Sequence, residues 1–448
     1  MQAILIKQIA DIVGGELVNP ADGQITSVVI DSRNAVEGSM FAAFPGENVD
    51  GHDYIGKAFE NGATCCIANR VPDGETRPVI VVEDVQKALK ELATFHRNRL
   101  HIPVVGITGS VGKTTTKEMI SSVLSSRFKV LKTEKNLNNE LGVPLTIFQI
   151  EEGHEAAVIE MGISDFKEMT RLAQMVQPDI GVFTVIGHSH LEKLGNRQGV
   201  LWAKTEMIKY MQPDGVMICN GDDDLLYTYP VERDKITYGR YPRCDVHALN
   251  LKMEADRTTC DITDGERWVP VTVNAYGEHI IYAMLAAVTV GIRLGLSDEE
   301  IQQGLLQYET VGRRSSVVTT EKLTLIDDCY NANPDSVKSA IDSMKNLSGR
   351  YVAILGDMLE LGENSNQLHY GVGLHAANHK IDLLLTVGER SKTTAKAAQK
   401  GGVETESFLD NESLIKALPN YLREGDVVLV KASHSMHFEE ISEAIRNL

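Results

Sequence analysis

The segment 108–115, TGSVGKTT, constrains the fold of this chain more than any other. It follows an apolar run and opens a segment whose apolar residues, from Met119 to Leu124, fit one face of a helix. A strand, a glycine-rich turn and a helix in this order are typical of a P-loop, in which backbone N–H groups surround phosphate oxygens. The strict P-loop pattern has glycine where this chain has Ile107. The strand-to-helix context still predicts a phosphate-binding loop in an α/β domain.

Composition excludes several classes of protein. The 448 residues leave room for two or three domains, and the net charge of −18 argues against a broad electrostatic surface for nucleic acid or anionic lipid. No apolar run approaches the roughly 18 residues of a membrane span, and Asp11 interrupts the opening stretch before a signal peptide could form. The cysteines show no metal-ligand spacing. We therefore expect a cytoplasmic protein with reduced, mostly buried thiols.

The chain divides into three blocks of alternating strands and helices. Residues 1–98 mix short strands and helices and are expected to form a small α/β substrate-binding module. Residues 99–311 alternate apolar strands with amphipathic helices, the pattern of a parallel sheet, and residues 312–448 repeat that alternation. The predicted fold class is α/β in all three blocks.

Two side chains follow strands of the predicted central sheet. Glu160 ends the apolar run 156–160, so its carboxylate is expected at the carboxyl edge of the sheet, where ligands bind in open α/β folds. It could ligate magnesium, or it could be a solvated glutamate at a strand end. His190 lies beyond the next strand and could complete a metal or phosphate site, although a histidine in a loop is more often plain polar surface.

The positions of the remaining candidate residues in the sequence do not by themselves assign a functional role to them. Lys204 lies on a predicted helix, where a lysine needs no special role. Arg313 stands at the proposed domain junction, from which a guanidinium could stabilise a transferring phosphoryl group, or it could belong to a surface arginine pair with Arg314. Asn333 and Pro334 are explained as the cap and first residue of a helix.

The motifs occur together in an order that resembles one known family. They are TGSVGKTT at 108–115, EMG at 160–162, HLEKLG at 190–195, AKTEM at 203–207, NGDDD at 220–224, GRR at 312–314 and DDCYNANPDS at 327–336. In this combination the chain resembles the ATP-dependent Mur ligases of peptidoglycan synthesis. KNLNN at 135–139 and LGDMLELG at 355–362 strengthen the likeness, which extends from the DSR at 31–33 to the KAS at 431–433.

The resemblance implies a fold and a set of ATP-binding residues. The family has an N-terminal domain for a UDP-sugar, a central P-loop ATPase domain and a C-terminal Rossmann-like domain that closes over the nucleotide. The implied ATP-binding residues are Gly109, Ser110, Val111, Gly112, Lys113, Thr114, Thr115, Arg313 and Asp328.

Metal binding and catalysis are also implied by the resemblance. Thr114, Glu160 and His190 would serve magnesium ions, and Lys204 matches a lysine that the family carbamylates. A carbamate would offer anionic oxygens to a second magnesium where an ammonium would repel it. The implied catalytic residues are Lys113, Glu160, His190, Lys204 and Arg313.

The implied substrates are UDP-N-acetylmuramoyl-tripeptide and D-alanyl-D-alanine, joined through an acyl phosphate by what we expect to be a monomer. The implied substrate-binding residues are Ser32, Arg33, Asn138, Asn139, Asn331 and Asn333. Two alternatives remain: another amide ligase of the same superfamily, acting earlier in the pathway or on folate, and a non-catalytic relative that binds nucleotide and a protein partner.

The chain departs from the family pattern at several positions. Ile280 and Ala283 stand where two asparagines are usual, so weaker discrimination of adenine is expected. The segment 184–187 reads TVIG instead of TNIG. Residues 431–434 read KASH instead of KGSR, which concerns the fit of the incoming dipeptide.

Overall fold

The computed structural model of the chain describes residues 1–46, 49–254, 257–310, 312, 316–345 and 347–448. Within these ranges the strands form one two-stranded pair and sheets of five, nine and six strands. The chain is thus an α/β protein of three domains, as the sequence predicts, with one of the larger sheets in each. No helix in the described ranges is both long and apolar enough to cross a membrane.

The N-terminal sheet has the order β2-β7-β6-β5-β4, with β2 antiparallel to its neighbour and the other pairs parallel. The elements of this region are β1 (Ile4–Leu5), α1 (Ile6–Ile12), β2 (Glu16–Val18), β3 (Gln24–Ile25), β4 (Ser27–Val29), β5 (Ser39–Ala42), α2 (Ile55–Glu60), β6 (Cys65–Ala68), β7 (Val79–Val81) and α3 (Val85–Asn98). Asp84 caps α3 by accepting a hydrogen bond from the Lys87 N–H. At the other end of α3, buried Arg97 donates to the carbonyls of Val176 and Gln177, which joins this domain to the next.

The central sheet has the order β16-β15-β14-β13-β12-β11-β8-β10-β9. Its strands are β8 (Val104–Thr108), β9 (Val130–Lys132), β10 (Ala156–Glu160), β11 (Ile180–Phe183), β12 (Val216–Asn220), β13 (Lys235–Gly239), β14 (Val246–Met253), β15 (Thr258–Thr263) and β16 (Trp268–Val273). Pairing is parallel from β9 to β14, whereas β15 and β16 are antiparallel, so the sheet is mixed where a parallel sheet was predicted. The chain crosses β8 in passing from β10 to β11, which makes the carboxyl end of β8 a topological switch point.

The helices of the central domain cover both faces of its sheet. They are α4 (Lys113–Leu124), α5 (Gly142–Phe148), α6 (Glu168–Val176), α7 (Leu191–Leu194), α8 (Arg197–Thr205), α9 (Asp224–Thr228), α10 (Glu278–Arg293) and α11 (Asp298–Leu306). The α10 helix packs against α4 and is buried along most of its length, because its sequence from Ile280 to Val290 is almost entirely apolar.

The C-terminal sheet has the order β17-β18-β22-β19-β20-β21 and is parallel except for β17. Its elements are β17 (Ser316–Thr319), β18 (Thr324–Asp327), α12 (Pro334–Met344), β19 (Arg350–Gly356), α13 (Ser365–Asn378), β20 (Leu383–Val387), α14 (Lys392–Lys400), β21 (Glu404–Phe408), α15 (Asn411–Tyr421), β22 (Asp426–Lys431) and α16 (Glu439–Arg446). Helices α12 to α14 share one apolar core and α15 and α16 share another, so the sheet is covered on both faces in the Rossmann-like manner.

Short 3-10 helices occupy Ser32–Asn34, Gly51–Tyr54, Glu206–Tyr210, Gly362–Asn364 and His434–Met436. Each of the six cysteines is a buried thiol, as expected, and burial raises the pKa of Cys65 to about 12.

Candidate active site

The predicted phosphate-binding loop joins the end of β8 to the start of α4. Gly109 has a φ of +152°, and a Cβ atom there would lie 1.9 Å from Thr184 Oγ1. That hydroxyl donates to the Val111 carbonyl at 2.6 Å. Glycine is therefore required at 109, both because of the backbone conformation and because Thr184, in the loop after β11, lies so close.

The phosphate-binding loop is held mainly by hydrogen bonds from the segment that follows β11, with one further hydrogen bond from its lysine. Ser110 Oγ accepts a hydrogen bond from the Gly187 N–H at 3.0 Å and another from Ser189 Oγ at 2.9 Å. Lys113 Nζ donates to the Gly109 carbonyl at 2.9 Å. The lysine thus supplies charge beside a loop that glycines and the 187–189 segment already hold.

Glu160 and Thr114 form a buried oxygen pair at the carboxyl edge of the central sheet. Thr114 Oγ1 donates to Glu160 Oε2 at 2.9 Å, and Asn138 Nδ2 donates to Glu160 Oε1 at 2.7 Å. Glu160 is only 1% exposed, and its backbone N–H is bound by Thr133 Oγ1. A hydroxyl and a carboxylate beside a phosphate-binding loop are the ligand types that Mg²⁺ prefers, so these residues fit a magnesium ion.

His190 binds Glu360, a residue of the C-terminal domain. The imidazole Nδ1 lies 2.5 Å from Glu360 Oε2, and this hydrogen bond holds the pKa of the glutamate below its ordinary value. With Nδ1 engaged, Nε2 is the ring nitrogen left to ligate a metal. Glu360 was not among the predicted site residues, although it lies in the LGDMLELG motif at 355–362 that strengthens the resemblance.

Lys204 lies on α8 and is 1% exposed. Within the described ranges its ammonium has no hydrogen bond or ion pair. Burial lowers its pKa well below the ordinary value, and the charge of Lys113 acts in the same direction, whereas the charge of Glu168 opposes the shift. Burial therefore disfavours the ammonium relative to the amine at this position.

A cavity of about 710 Å³ contains the phosphate-binding loop and is lined by all three domains. The N-terminal domain contributes Gln86 to its wall. The predicted site residues that line it are Ser110, Val111, Gly112, Lys113, Thr114, Thr115, Asn138, Asn139, Glu160, His190, Asp328, Asn331 and Asn333. Gly109, Lys204, Ser32 and Arg33 are not among the lining residues, and Arg313 lies outside the described residues.

The C-terminal wall of this cavity is built around an ion pair. Lys431 Nζ lies 2.6 Å from Asp328 Oδ2 and donates to the Asn331 carbonyl at 2.8 Å. The Tyr330 ring contacts His434, with centroids 5.4 Å apart. The Lys431 ammonium thus neutralises the Asp328 carboxylate on the cavity wall.

The asparagines that line the cavity also have local structural roles. Asn333 accepts from the Ser336 N–H as the cap of α12, as predicted. Asn139 accepts from the backbone N–H groups of Leu141 and Gly142. Their roles toward a substrate remain a prediction.

The two substitutions expected to affect adenine do not face the cavity. Ile280 and Ala283 are each 1% exposed and belong to the apolar core between the central sheet and its helices. His279 instead lines the cavity, and burial lowers its pKa. The structure therefore gives no support to the expectation that these two positions contact the adenine base. Their side chains point from α10 into the apolar core of the central domain.

Ser32 and Arg33 lie apart from this cavity. Ser32 is buried, and its carbonyl accepts from Asn61 Nδ2, while Arg33 is exposed and paired with Asp31. A second cavity of about 330 Å³, lined by Asp31 and Leu137 among others, lies between the N-terminal and central domains. Binding of a UDP-sugar near residues 31–33 stays a prediction.

Comparisons with known proteins cover nearly the whole chain. Family models match at 24–102 (Mur ligase family, catalytic domain), at 107–291 (Mur ligase middle domain) and at 313–434 (Mur ligase, glutamate ligase domain). A Bacillus subtilis (strain 168) protein named UDP-N-acetylmuramoyl-tripeptide--D-alanyl-D-alanine ligase is 36% identical over 447 residues, 97% of each chain. An Escherichia coli (strain K12) protein of the same name is 32% identical and covers 100% of this chain and 99% of its own.

Solved structures agree with these relatives. A crystal structure of MurF from Acinetobacter baumannii superposes with a TM-score of 0.91 at 29% identity, covering 100% of both chains. MurF ligase from Thermotoga maritima in complex with ADP superposes with a TM-score of 0.84 at 28% identity, covering 94% of this chain and 97% of that one. On the sequence identity, the coverage and the shared fold, this chain belongs to the Mur ligase family.

Proposed function

We propose that this chain is an ATP-dependent ligase that joins D-alanyl-D-alanine to UDP-N-acetylmuramoyl-tripeptide to give the pentapeptide of peptidoglycan synthesis. The observation that carries this proposal is the cavity of about 710 Å³ that places a phosphate-binding loop beside a buried carboxylate, with walls from all three domains. Two substrates and a nucleotide need such a shared space. The names and coverage of the relatives supply the substrate identities.

The proposed reaction has two steps. In the first, a carboxylate oxygen of the tripeptide attacks the γ-phosphorus of ATP, the bond to the β-phosphate oxygen breaks, and ADP leaves. In the second, the amine of D-alanyl-D-alanine attacks the acyl carbon, loses a proton and displaces inorganic phosphate. Charge builds up on the phosphoryl oxygens and then on the tetrahedral carbon, so positioned cations provide most of the catalysis. We assign Lys113, which lines the cavity at the phosphate-binding loop, to this role.

Magnesium fits the oxygen pair of Thr114 and Glu160, and when bound it would neutralise phosphate charge. The Asn138 amide holds the second carboxylate oxygen of Glu160 and so fixes the orientation of the group. We include His190 in a second magnesium site, supported by its position on the cavity wall and by the Glu360 hydrogen bond that orients its ring.

A carbamate on Lys204 is part of this proposal. The neutral amine that burial favours is the form that attacks carbon dioxide, forming an N–C bond with loss of one proton. The anionic product could then ligate magnesium, whereas burial of the ammonium is costly and only the charge of Glu168 opposes that cost.

The proposal also assigns the three domains and the residues that bind the nucleotide and the muramoyl peptide. We place the domain limits at 1–98, 99–311 and 312–448, with the UDP-sugar on the first, ATP on the second and closure by the third. Arg313 and Asp328 would contact the nucleotide, with Ser32, Arg33, Asn138, Asn139, Asn331 and Asn333 serving the muramoyl peptide. We also propose a monomer that acts in the cytoplasm.

A non-catalytic nucleotide-binding protein is the rival of another class. The reason to consider this alternative is that Ile280 and Ala283 replace two asparagines that are usual in the family. Both residues lie in the apolar core of this structure, so their replacement does not indicate a loss of catalysis. The retention of Lys113, Glu160, His190 and Lys204 further favours an enzyme.

Phosphate release from ATP tests the function directly. The assay contains the chain, Mg²⁺ and UDP-N-acetylmuramoyl-tripeptide, with D-alanyl-D-alanine or with a single amino acid in its place. We expect release that depends on both the tripeptide and the dipeptide. Release with glutamate and no dipeptide would indicate another ligase of the superfamily, and no release with any acceptor would indicate the non-catalytic rival.

A further inference from the structure

A cluster of ligand-type side chains lies on the C-terminal domain, away from the active-site cavity. Asp342 stands near the end of α12, His375 lies one turn before the end of α13, and His379 directly follows that helix. The Nε2 atoms of both histidines approach the same carboxylate oxygen, Asp342 Oδ1, at 2.7 Å and 3.0 Å. These three ligand atoms lie within 4.8 Å of one another, and none of the three residues lines the active-site cavity.

The hydrogen bonds fix which ring nitrogen of His379 faces the cluster. Its Nδ1 lies 2.9 Å from the His375 carbonyl oxygen, which can only accept, so Nδ1 carries a proton. In neutral His379 the Nε2 lone pair therefore points at a carboxylate oxygen, and two lone pairs repel unless a cation lies between them. A metal-ligating histidine with its other N–H on a backbone carbonyl has the same arrangement.

Protonation of His379 alone is the alternative to a metal ion, because neutral His375 can donate its Nε2–H to the same oxygen, whereas protonation of both histidines is disfavoured. Their rings are stacked, with centroids 4.0 Å apart and planes inclined by 23°, so two imidazolium charges would face each other. A single divalent ion would instead satisfy both nitrogens and the carboxylate together. The nearby cation Lys345 lies 3.7 Å from Glu278 and so has another carboxylate partner.

We propose that Asp342, His375 and His379 form a binding site for one borderline divalent cation, of which Zn²⁺ is the representative. Two imidazoles and one carboxylate are the ligand types of zinc sites that keep a fourth position for water. Tetrahedral coordination with bonds of about 2.0–2.1 Å separates ligand atoms by about 3.3 Å. The two nitrogen–oxygen separations, 2.7 Å and 3.0 Å, need to open by about 0.3–0.6 Å to reach this value, and the side chains are 21% to 36% exposed, which gives them room to move.

The site would join two helices that contact the central domain at their other ends. Asp335, in the first turn of α12, binds His188, and Glu360, shortly before α13, binds His190. Asp342 stands about 10 Å along α12 from Asp335, at 1.5 Å per residue. A bound ion would therefore stabilise the packing of α12 on α13 without entering the chemistry. Metal binding at this cluster would be independent of the proposed reaction.

Zinc binding to the full-length chain tests the site. Zn²⁺ is titrated in competition with a chromophoric chelator. Excess Mg²⁺ and ADP are present, so that they fill the nucleotide site and prevent zinc from binding there. We expect one equivalent bound by the wild type, and binding at least tenfold weaker in His375→Gln, His379→Gln and Asp342→Asn. The matched control is His437→Gln, because His437 is also a partly exposed histidine beside a carboxylate, Glu439, in the same domain.

Thermal unfolding provides a second measurement. Added Zn²⁺ should raise the Tm of the wild type and of His437→Gln but leave that of His379→Gln unchanged. His379 is the most exposed of the three, so its variant is expected to fold even if Asp342→Asn does not. No zinc bound by the wild type, or equal binding by the wild type and His379→Gln, would overturn the proposal and identify the cluster as a protonated histidine–aspartate ion pair.

Discussion

Asp335 in the C-terminal domain accepts a hydrogen bond from the backbone N–H of His188 in the central domain, at 2.6 Å, and its other oxygen lies 3.0 Å from the His188 ring. The contact lies next to the phosphate-binding loop, because the neighbouring Gly187 N–H binds Ser110. A Cβ atom at Gly187 would lie 2.3 Å from Asp335 Oδ2, so glycine permits this approach. The same few residues thus hold the loop and the domain junction.

Removal of this carboxylate should loosen the domain junction. Asp335→Ala takes away two hydrogen bonds to a charged group, each worth about 1.5–3 kcal/mol when buried and less where solvent reaches them. We expect a larger radius of gyration without nucleotide and a several-fold higher KM for ATP. Small-angle scattering and steady-state kinetics measure these, with Glu412→Ala as control, since Glu412 is an exposed acid in the first turn of α15. Identical scattering curves would contradict the role of the contact.

Lys113→Ala should abolish turnover and leave the fold intact. The loop is held mainly by its glycines and by Ser110, and Lys113 adds one hydrogen bond to the Gly109 carbonyl, so the main contribution of the lysine is charge toward phosphate. We expect activity to fall by at least 100-fold, about 3 kcal/mol of transition-state stabilisation, with an unchanged circular dichroism spectrum. Lys129→Ala, an exposed lysine of the same domain, is the control. Normal turnover in folded Lys113→Ala would mean that the loop does not bind phosphate.

Loss of the Lys204 amine should remove most activity, and the loss should be reversible in part. Lys204→Ala leaves a buried space in which a short carboxylic acid could replace the carbamate oxygens. We expect acetate or propionate to restore part of the phosphate release to this variant but none to Lys113→Ala. Mass spectrometry of the native wild type should detect the mass of one bound carbon dioxide. An unmodified lysine together with failed rescue would exclude the carbamate.

Buried His96 predicts a loss of stability in mild acid. Its Nε2 donates to the Ile150 carbonyl at 2.9 Å, and burial lowers its pKa from 6.5 to about 4. The unfolded state therefore takes up a proton first as the pH falls. The contribution of neutral His96 to the free energy of unfolding is complete above pH 6.5 and is lost between pH 6.5 and about 4.

Denaturant unfolding as a function of pH measures this effect. Between those two pH values the wild type should lose on the order of 3 kcal/mol more than His96→Gln, which keeps a donor and cannot titrate. The control is exposed His101→Gln, whose pH dependence should match that of the wild type. Parallel curves for the wild type and His96→Gln would show that His96 is not the group responsible.

Restoring the family asparagine at 280 should destabilise the chain rather than sharpen its choice of ATP. Ile280 is 1% exposed in an apolar core, so Ile280→Asn buries an amide without partners and costs about 3 kcal/mol. Ile280→Val, which keeps the site apolar, should cost about 1 kcal/mol. Denaturant unfolding gives both values, and kcat/KM for ATP and GTP gives the selectivity. A stable Ile280→Asn variant with a sharper preference for ATP would restore the original expectation.

The elements of the site that depend on local sequence were predicted correctly. The helix after the phosphate-binding loop, the strand that ends at Glu160 and the Asn333 cap with Pro334 all occur as expected. Each depends on the periodicity of apolar residues or on hydrogen bonds between residues a few positions apart. Such features can be recognised in a short stretch of sequence.

The antiparallel strands β15 and β16 were missed, and so was the burial of Ile280. Both depend on which surface a segment packs against. The sequence of an apolar helix does not show whether a given residue packs in the protein core or contacts a ligand. The substitution at Ile280 therefore looked functional until the position of α10 was known.

Short stretches of sequence were sufficient to identify the phosphate-binding loop and the strand ends beside it, and the order of the motifs identified the family. The residue pairs that close the site became visible only in the folded chain. Glu360 with His190, Asp335 with His188 and Lys431 with Asp328 are separated by 170, 147 and 103 residues. Local propensity carries no information about such partners, because each pair forms only when domains or strands distant in sequence have packed together.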